Sequence, residues 1–545
     1  MKAAAGLLLC LSCAQTAPSQ RAGTPSQPSA SPSQPSASPA QPSASPSQPS
    51  ASPSQPSSSP WQRYQQVEKL QLEPLLVEAI RFPTVAGNTK ARDDEQAWLR
   101  RTAASLGLAA REAGKVTEVE LPGPAGAPVL GLVVHGDVQP VEESAWTLPP
   151  FAGVVKDGFV IGRGAADDKG PLVQALLAMS ALRESGIERT HTVRLLVGSD
   201  EESDNLDMKE YLQAHPAPDF SLVLDSSFPV VVGEKAWQGL TVAAPKIAPR
   251  RASGYVVESL EAGLAPSIVP DRARLVFRWT ASRGPPDWKS LEQDFRARKP
   301  DEGTVLEVKP DGARLELIVH GRSAHAGVNL EGGRNALVSL AHLVHGLLPP
   351  CAESDLLAFA ELAGQDHFGT GLGLTGSTPL WGRYAVNVAT VGTKSGLSPE
   401  QDGNLILTIN LRRPPPMTGP QLRAHLDQVV AEFNRKTGAR LVTGGFFADE
   451  PLAFDPQGKL VKRLLAAYAR ATGRTDGPAI SGGGTYAKRL PHAIAFGMWF
   501  PEKPYPGHDV DEKNPVADLH LGVRVLLEAL QDLATSPPLT EPFAP

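Results

Sequence analysis

Five short stretches of the chain place carboxylates and imidazoles where they can hold cations and move protons. His135-Gly136-Asp137 follows the apolar run Val129–Val134. Residues i and i+2 of an extended segment face one side, which places Asp137 to orient the imidazole of His135. Gly162-Arg163-Gly164-Ala165-Ala166-Asp167-Asp168-Lys169-Gly170 is a loop of small residues carrying paired carboxylates. Its glycines permit a tight turn, and one carboxylate there can bridge two cations. Gly198-Ser199-Asp200-Glu201-Glu202 follows the run Val193–Val197. Neighbours on an extended chain point opposite ways, so one glutamate can ligate a metal while the other reaches a water beside it. Asp225 ends the run Ser221–Leu224, and His508 lies in PGHDVDEKN before the last helix. This is the donor set of metal-assisted hydrolysis, in which a metal lowers the pKa of a water to about 7 and a carboxylate takes its proton.

Each stretch has a plainer reading alone. His-x-Asp arises often by chance. Asp167 or Asp168 could cap a helix, with Lys169 neutralising the pair. Asp-Glu-Glu is commonly a solvated turn, and a lone Asp225 or His508 is more often structural. The ensemble points to chemistry: three apolar strands each end in an N or O donor. Such donors suit zinc, and cobalt or manganese can occupy them too.

The elements that must position these residues follow from hydrophobic patterning. The continuous apolar runs at Val129–Val134 and Val193–Val197 predict buried parallel strands, and Pro171–Leu182 predicts a helix. Strands alternating with helices predict an α/β domain with helices on both faces of an open sheet, where ligands bind beyond the carboxyl ends of strands. From about Trp237 to Leu441, alternating strands such as Leu315–Val319 and Leu405–Leu411 mix with helices near Asn335–Leu347 and Pro420–Phe433. This predicts an inserted α+β domain spanning 237–441, between catalytic segments 61–236 and 442–545. A helix at Lys459–Ala471, a strand at Ala493–Phe496 and a helix at Leu519–Leu533 return to the α/β style.

With 545 residues the chain exceeds one compact core, and its formal charge of -6 argues against nucleic-acid binding. Of three cysteines, Cys10 and Cys13 lie at the extreme N-terminus, which leaves Cys351 alone in the globular part. No intrachain disulfide or cysteine-based zinc site is available there. Residues 1–15 have the layout of an export signal. Leu11-Ser12-Cys13 resembles the end of a bacterial lipoprotein signal, although Cys10 stands where Leu is usual. The expectation is export, with a lipidated Cys13 attaching the protein to a membrane and facing the periplasm or cell surface; ordinary export and a cytoplasmic protein are the alternatives. Residues 16–60 repeat QPSASPS-like units, a Pro/Ser composition that predicts an extended spacer.

Taken together, HGDVQP, GRGAADDKG and SDEES resemble peptidase family M20, over about Glu68 to Ala534. The family comprises zinc amidohydrolases with an α/β catalytic domain and an inserted α+β lid. DSSFPVVVGEKAW, NLRRP and GGGTYAKRLPHAIAFG resemble its dipeptidase V-like bacterial branch. The resemblance implies two zinc ions. His135 and Asp225 would be terminal ligands of one and Glu202 and His508 of the other, with Asp167 bridging. It further implies Glu201 as general base and Asp137 as the partner of the ligating His135. In HGRSAHAGVNLEGGRNA it implies His325 as the group that polarises the scissile carbonyl. Arg412, with the Gly482-Gly483-Gly484 turn, would then receive a substrate carboxylate. The long insertion in this branch stands in for a partner subunit's lid, which implies a monomer.

Three positions depart from the family pattern: Asn329 where Pro is frequent, Gln139 in Val-Gln-Pro, and Arg413 in place of an aromatic. The leading expectation is a peptidase acting on dipeptides or short peptides. An N-acyl amino acid deacylase on the same scaffold is the alternative, and a non-catalytic peptide-binding lipoprotein comes third. Cys351 has no assigned role, and His320 and His492 read as structural.

Overall fold

The computed structural model describes residues 58–203, 205–245, 255–280, 288–392 and 404–539. The signal reading of residues 1–15, Cys10, Cys13 and nearly all of the 16–60 spacer lie outside the described residues. Among those described, no helix is long and apolar enough to cross a membrane.

The chain builds a nine-stranded sheet among the described residues. Its centre is parallel: Thr192–Gly198, Val129–His135, Phe220–Val223 and Ala493–Ala495 run side by side. The apolar runs are continuous because both faces are covered. Leu132, Leu195 and Leu222 pack into one cluster with the helices Lys169–Glu184, Lys459–Thr472 and Val516–Thr535. Their neighbours Val133, Leu196 and Val223 pack on the opposite face with Met208 and Tyr486. Each such side chain, fully withdrawn from water, contributes about 1.5–3 kcal/mol. The sheet is mixed rather than purely parallel. Ala109–Ala113 and Val116–Leu121 form an antiparallel hairpin, and the latter pairs antiparallel with Thr192–Gly198. Alternating strands of low hydrophobicity, such as AAREA, carry too weak a pattern to signal this edge.

The inserted segment forms an antiparallel eight-stranded sheet among the described residues. Its strand order is Val305–Asp311, Arg314–His320, Arg272–Trp279, Tyr255–Ala262, Ala385–Gly392, Leu405–Arg413, Ala236–Ala244 and Val442–Ala448. It has its own core, with Leu317, Leu340, Leu356 and Leu407 fully buried. Between Tyr255–Ala262 and Ala385–Gly392 the register among the described residues is the pair Ala262–Val391, which joins the strands into one continuous sheet.

The insertion ends later than expected from sequence. Val442–Ala448 pairs with Ala236–Ala244 and belongs to the lid sheet, and the chain rejoins the first sheet at Leu452–Ala453. The first and last lid strands are therefore neighbours, and the two crossings lie side by side. Asp449 ties them: its Oδ1 accepts from the Trp237 amide at 2.5 Å, and its own amide donates to the Trp237 carbonyl at 3.0 Å.

Candidate metal centre

His135 closes its strand, and its imidazole is set by the backbone. Nδ1 lies 2.9 Å from the Asp137 carbonyl, which can only accept, so Nδ1 carries the proton and Nε2 presents its lone pair. Nε2 faces Asp167 Oδ1 at 3.0 Å and Asp225 Oδ2 at 3.8 Å. The Asp137 carboxylate stands 3.6 Å from His135 Nδ1, as expected of its partner, and has a second job: it accepts the amides of Glu201 at 3.1 Å and Glu202 at 2.9 Å. It thereby holds the turn that carries both glutamates.

The extended segment expected at 200–202 is not formed: Glu201–Ser203 is a turn, not a strand. The two side chains still diverge. Glu201 joins His135 and Asp225 in one group of donors, and Glu202 joins Asp167 and His508 in another, with each group's atoms within 4.8 Å of one another. Glu202 Oε1 lies 2.9 Å from His508 Nε2, which also faces Asp167 Oδ2 at 3.3 Å. Asp167 thus turns one oxygen to each imidazole and links the groups. His508 takes a left-handed backbone (φ 66°), a strained conformation for a non-glycine residue, and its imidazole is 2% exposed.

The Asp167 loop depends on a residue that motif reading passed over. Glu512 is fully buried and its Oε1 accepts three amides: Gly164 at 3.1 Å, Ala166 at 2.8 Å and Asp167 at 3.1 Å. Its other oxygen pairs with Arg163 at 2.7 Å. Glu512 is part of PGHDVDEKN, but nothing in local spacing connects it to a loop so far upstream. Gly164 sits at φ 94°, a region that favours glycine. The plainer readings of this loop do not hold. Asp168 stands at the helix N-cap without capping it, and its carboxylate accepts the His135 amide at 3.1 Å. Lys169 turns away to Glu95 at 2.9 Å and to the carbonyls of Ala79 and Phe82.

The electrostatics favour a cation. Burial, with the repulsion of neighbouring acids, pushes the carboxyls of Glu201 and Asp225 well above their usual range. Burial would also raise Asp167, but the imidazoles of His135 and His508, when protonated, outweigh it and hold it well below. Burial disfavours charge on His508, yet Glu202 and Asp167 overcome it and push the imidazole up to about 10. A cluster of buried and half-buried acids and imidazoles, offering only N and O donors in two groups, fits divalent cations.

The lid brings two further groups over this centre. The His325 ring centroid is 4.4 Å from that of His508. His325 Nδ1 accepts the amides of Gly327 at 2.9 Å and Val328 at 3.0 Å, so its proton sits on Nε2. Burial and the nearby cations hold it well below its usual pKa, and it remains a neutral donor. Arg412, 5% exposed, lies over the Trp237 ring, and its buried Nε has no hydrogen-bond partner. Glu201, Glu202, His325, Arg412 and Gly484 line a common cleft of about 700 Å³. Gly483 and Gly484 line a smaller adjoining cavity of about 150 Å³, with Asp225 and Tyr505. The Gly483 amide is already donated to Ser481 Oγ at 2.9 Å. Arg413 serves the hinge, donating to the Asp449 carbonyl at 3.2 Å and pairing with Glu450 at 2.9 Å. His320 is exposed beside Glu307, and His492 Nδ1 lies against the Asp219 carbonyl.

A family model described as peptidase family M20/M25/M40 matches residues 131–532. A β-Ala-Xaa dipeptidase of Lactobacillus delbrueckii subsp. lactis is 29% identical over 415 residues, covering 75% of this chain and 83% of the relative. Among solved structures, human carnosine dipeptidase 1 superposes with a TM-score of 0.55 at 13% identity, covering 87% of this chain and 98% of that one. The di-peptidase Dug1p of Saccharomyces cerevisiae gives a TM-score of 0.53 at 14% identity, covering 88% and 98%. At these identities the structural likeness shows a shared fold.

Proposed function

The chain belongs to peptidase family M20/M25/M40, and from that premise we propose that it hydrolyses dipeptides or short peptides at a two-zinc site with Glu201 as general base. The observation that carries this reading is the gathering of six buried or half-buried donors into two groups, with the two oxygens of Asp167 facing an imidazole of each. His135 and Asp225 would hold one ion, Glu202 and His508 the other, and Asp167 both. When bound, the ions polarise the scissile carbonyl and lower the pKa of a water to about 7.

Glu201 accepts the proton of the attacking water and returns it to the leaving amine. Asp137 keeps Glu201 in place by holding its backbone amide. Neutral His325 donates its Nε2 proton to the carbonyl oxygen as negative charge develops there. Arg412 receives the substrate carboxylate, assisted by the Gly484 amide, since Gly483 is committed to Ser481. The β-Ala-Xaa specificity named for the Lactobacillus relative supports a dipeptide substrate.

A panel of dipeptides and their N-acetylated forms, assayed with and without chelator and followed by metal analysis, tests this. Turnover of free dipeptides, lost with chelator and restored by zinc, is the expected result. Turnover confined to N-acetylated forms would make the protein a deacylase. Peptide binding without turnover would make it a binding protein.

We also propose a monomer, because one chain already supplies a lid sheet of eight strands. Export and lipidation at Cys13 remain part of the proposal, supported by the order of signal, cysteine and Pro/Ser spacer in the sequence. Membrane fractionation of the wild type against Cys13→Ser tests it; equal release of both refutes it.

A further inference from the structure

His325 acts only if it stands at the right distance from the metal ligands, yet it is carried by a different domain. Two side chains bridge that gap. Gln139, 2% exposed, points its Nε2 at three acceptors: Glu202 Oε2 at 2.9 Å, the Glu202 carbonyl at 3.2 Å and Ser267 Oγ of the lid at 3.0 Å. Ser267 is fixed to the His325 loop. Its carbonyl accepts the Ala326 amide at 2.8 Å, and the adjoining Ile268 forms a β-bridge with His325 itself. On the other side of the loop, Asn329 Oδ1 accepts the His325 amide at 2.6 Å while its Nδ2 donates to the Tyr505 carbonyl at 2.7 Å. Tyr505 belongs to the loop that carries His508, and His508 Nε2 returns to Glu202 Oε1 at 2.9 Å.

We infer that Gln139 and Asn329 are paired positioning residues, whose hydrogen bonds, closed into a ring by the Glu202–His508 pair that would share an ion, register His325 of the lid against the catalytic domain. This rests on the hydrolytic reading above. The ring is polar where it crosses between domains, so it can break and reform as the lid moves without exposing apolar surface. The residues that cross the gap are two of the three departures from the family pattern. A valine at 139 offers no side-chain donor, and a proline at 329 neither accepts the His325 amide nor donates to Tyr505.

The experiment compares wild type, Gln139→Val, Asn329→Ala and their double variant. Each substitution is also placed in a His325→Ala background. The expected result is a fall in kcat of about 10- to 100-fold in each single variant, with KM within about 3-fold and metal content unchanged. In the His325→Ala background the same changes cost less than about 2-fold, because they act through His325. Full additivity in that background, or wild-type kcat in the double variant, overturns the inference and leaves the proposed function standing. Wild-type protein inactive on every dipeptide and N-acyl amino acid would refute the proposed function instead. The ring then still stands or falls by small-angle scattering: it requires a larger radius of gyration in the double variant than in wild type, and an equal one overturns it.

Discussion

In the nine-stranded sheet, His135 ends a strand and Asp225 follows one by two residues, so each is aimed by an element beside it in sequence. In the eight-stranded sheet, Arg412 sits within Leu405–Arg413 and is placed by cross-strand register, opposite Trp237 on one side and Ala385 on the other. His325 lies on a loop whose position depends on Ser267 and Asn329. One region fixes its groups locally and rigidly. The other delivers its groups by docking a whole domain. The two sets of groups are thus built to different tolerances: the proposed metal ligands share one core, whereas the groups above them are held by the paired chain crossings at Trp237 and Asp449 and by polar and main-chain contacts between the domains.

The largest effect is expected on the rigid side. Glu201→Gln removes the proton acceptor but keeps the shape, and kcat should fall by about 10²- to 10⁴-fold with metal content retained. Wild-type-like turnover would remove the mechanism. On the docking side, His325→Ala should lower kcat by about 10²- to 10³-fold with little change in KM, whereas Arg412→Ala should act mainly through KM. A reversed split would exchange their roles. Smaller still, Glu512→Gln should weaken metal retention by about 10- to 100-fold in chelator competition, since the acceptor of three loop amides loses its charge.

The smallest effect is on stability. Asp207 holds the Ser199 amide at 2.7 Å under the Glu201 turn, and burial raises its carboxyl from 3.8 to about 6. A raised carboxylate pKa means the native state binds more protons than the unfolded chain between those values. The stability it contributes is full below about pH 4 and lost as pH rises through about 6. Asp207→Asn should remove that part of the slope of Tm against pH, and an unchanged slope would assign it elsewhere.

This same division explains what was legible in the sequence. The parallel core strands and main helices carry long apolar runs, and their boundaries fell within a few residues of those expected. HGD, GRGAADDKG and SDEE lie immediately after strands or before a helix, so local motifs sufficed to bring their residues to one place. Register and long-range ties were not legible. The extra lid strand Val442–Ala448 is defined by its pairing with Ala236–Ala244, not by its own pattern. Glu512 acts on a loop hundreds of residues away. The orientation of the Asp137 carboxylate depends on a turn where periodicity implied extended chain.

Where the lid loop meets the glycine-rich turn, the two backbones touch. A Cβ at Gly327 would stand 2.6 Å from the Gly482 carbonyl oxygen, and one at Gly482 would stand 1.8 Å from that of Gly327. Neither position has room for a methyl group, because what it meets is main chain on the opposite domain. The constraint is joint: relaxing one glycine gains nothing while the other still requires contact. Among relatives that close their lids this way, the two positions should therefore behave as one evolutionary character, both glycine or both free to vary, despite their distance in the chain.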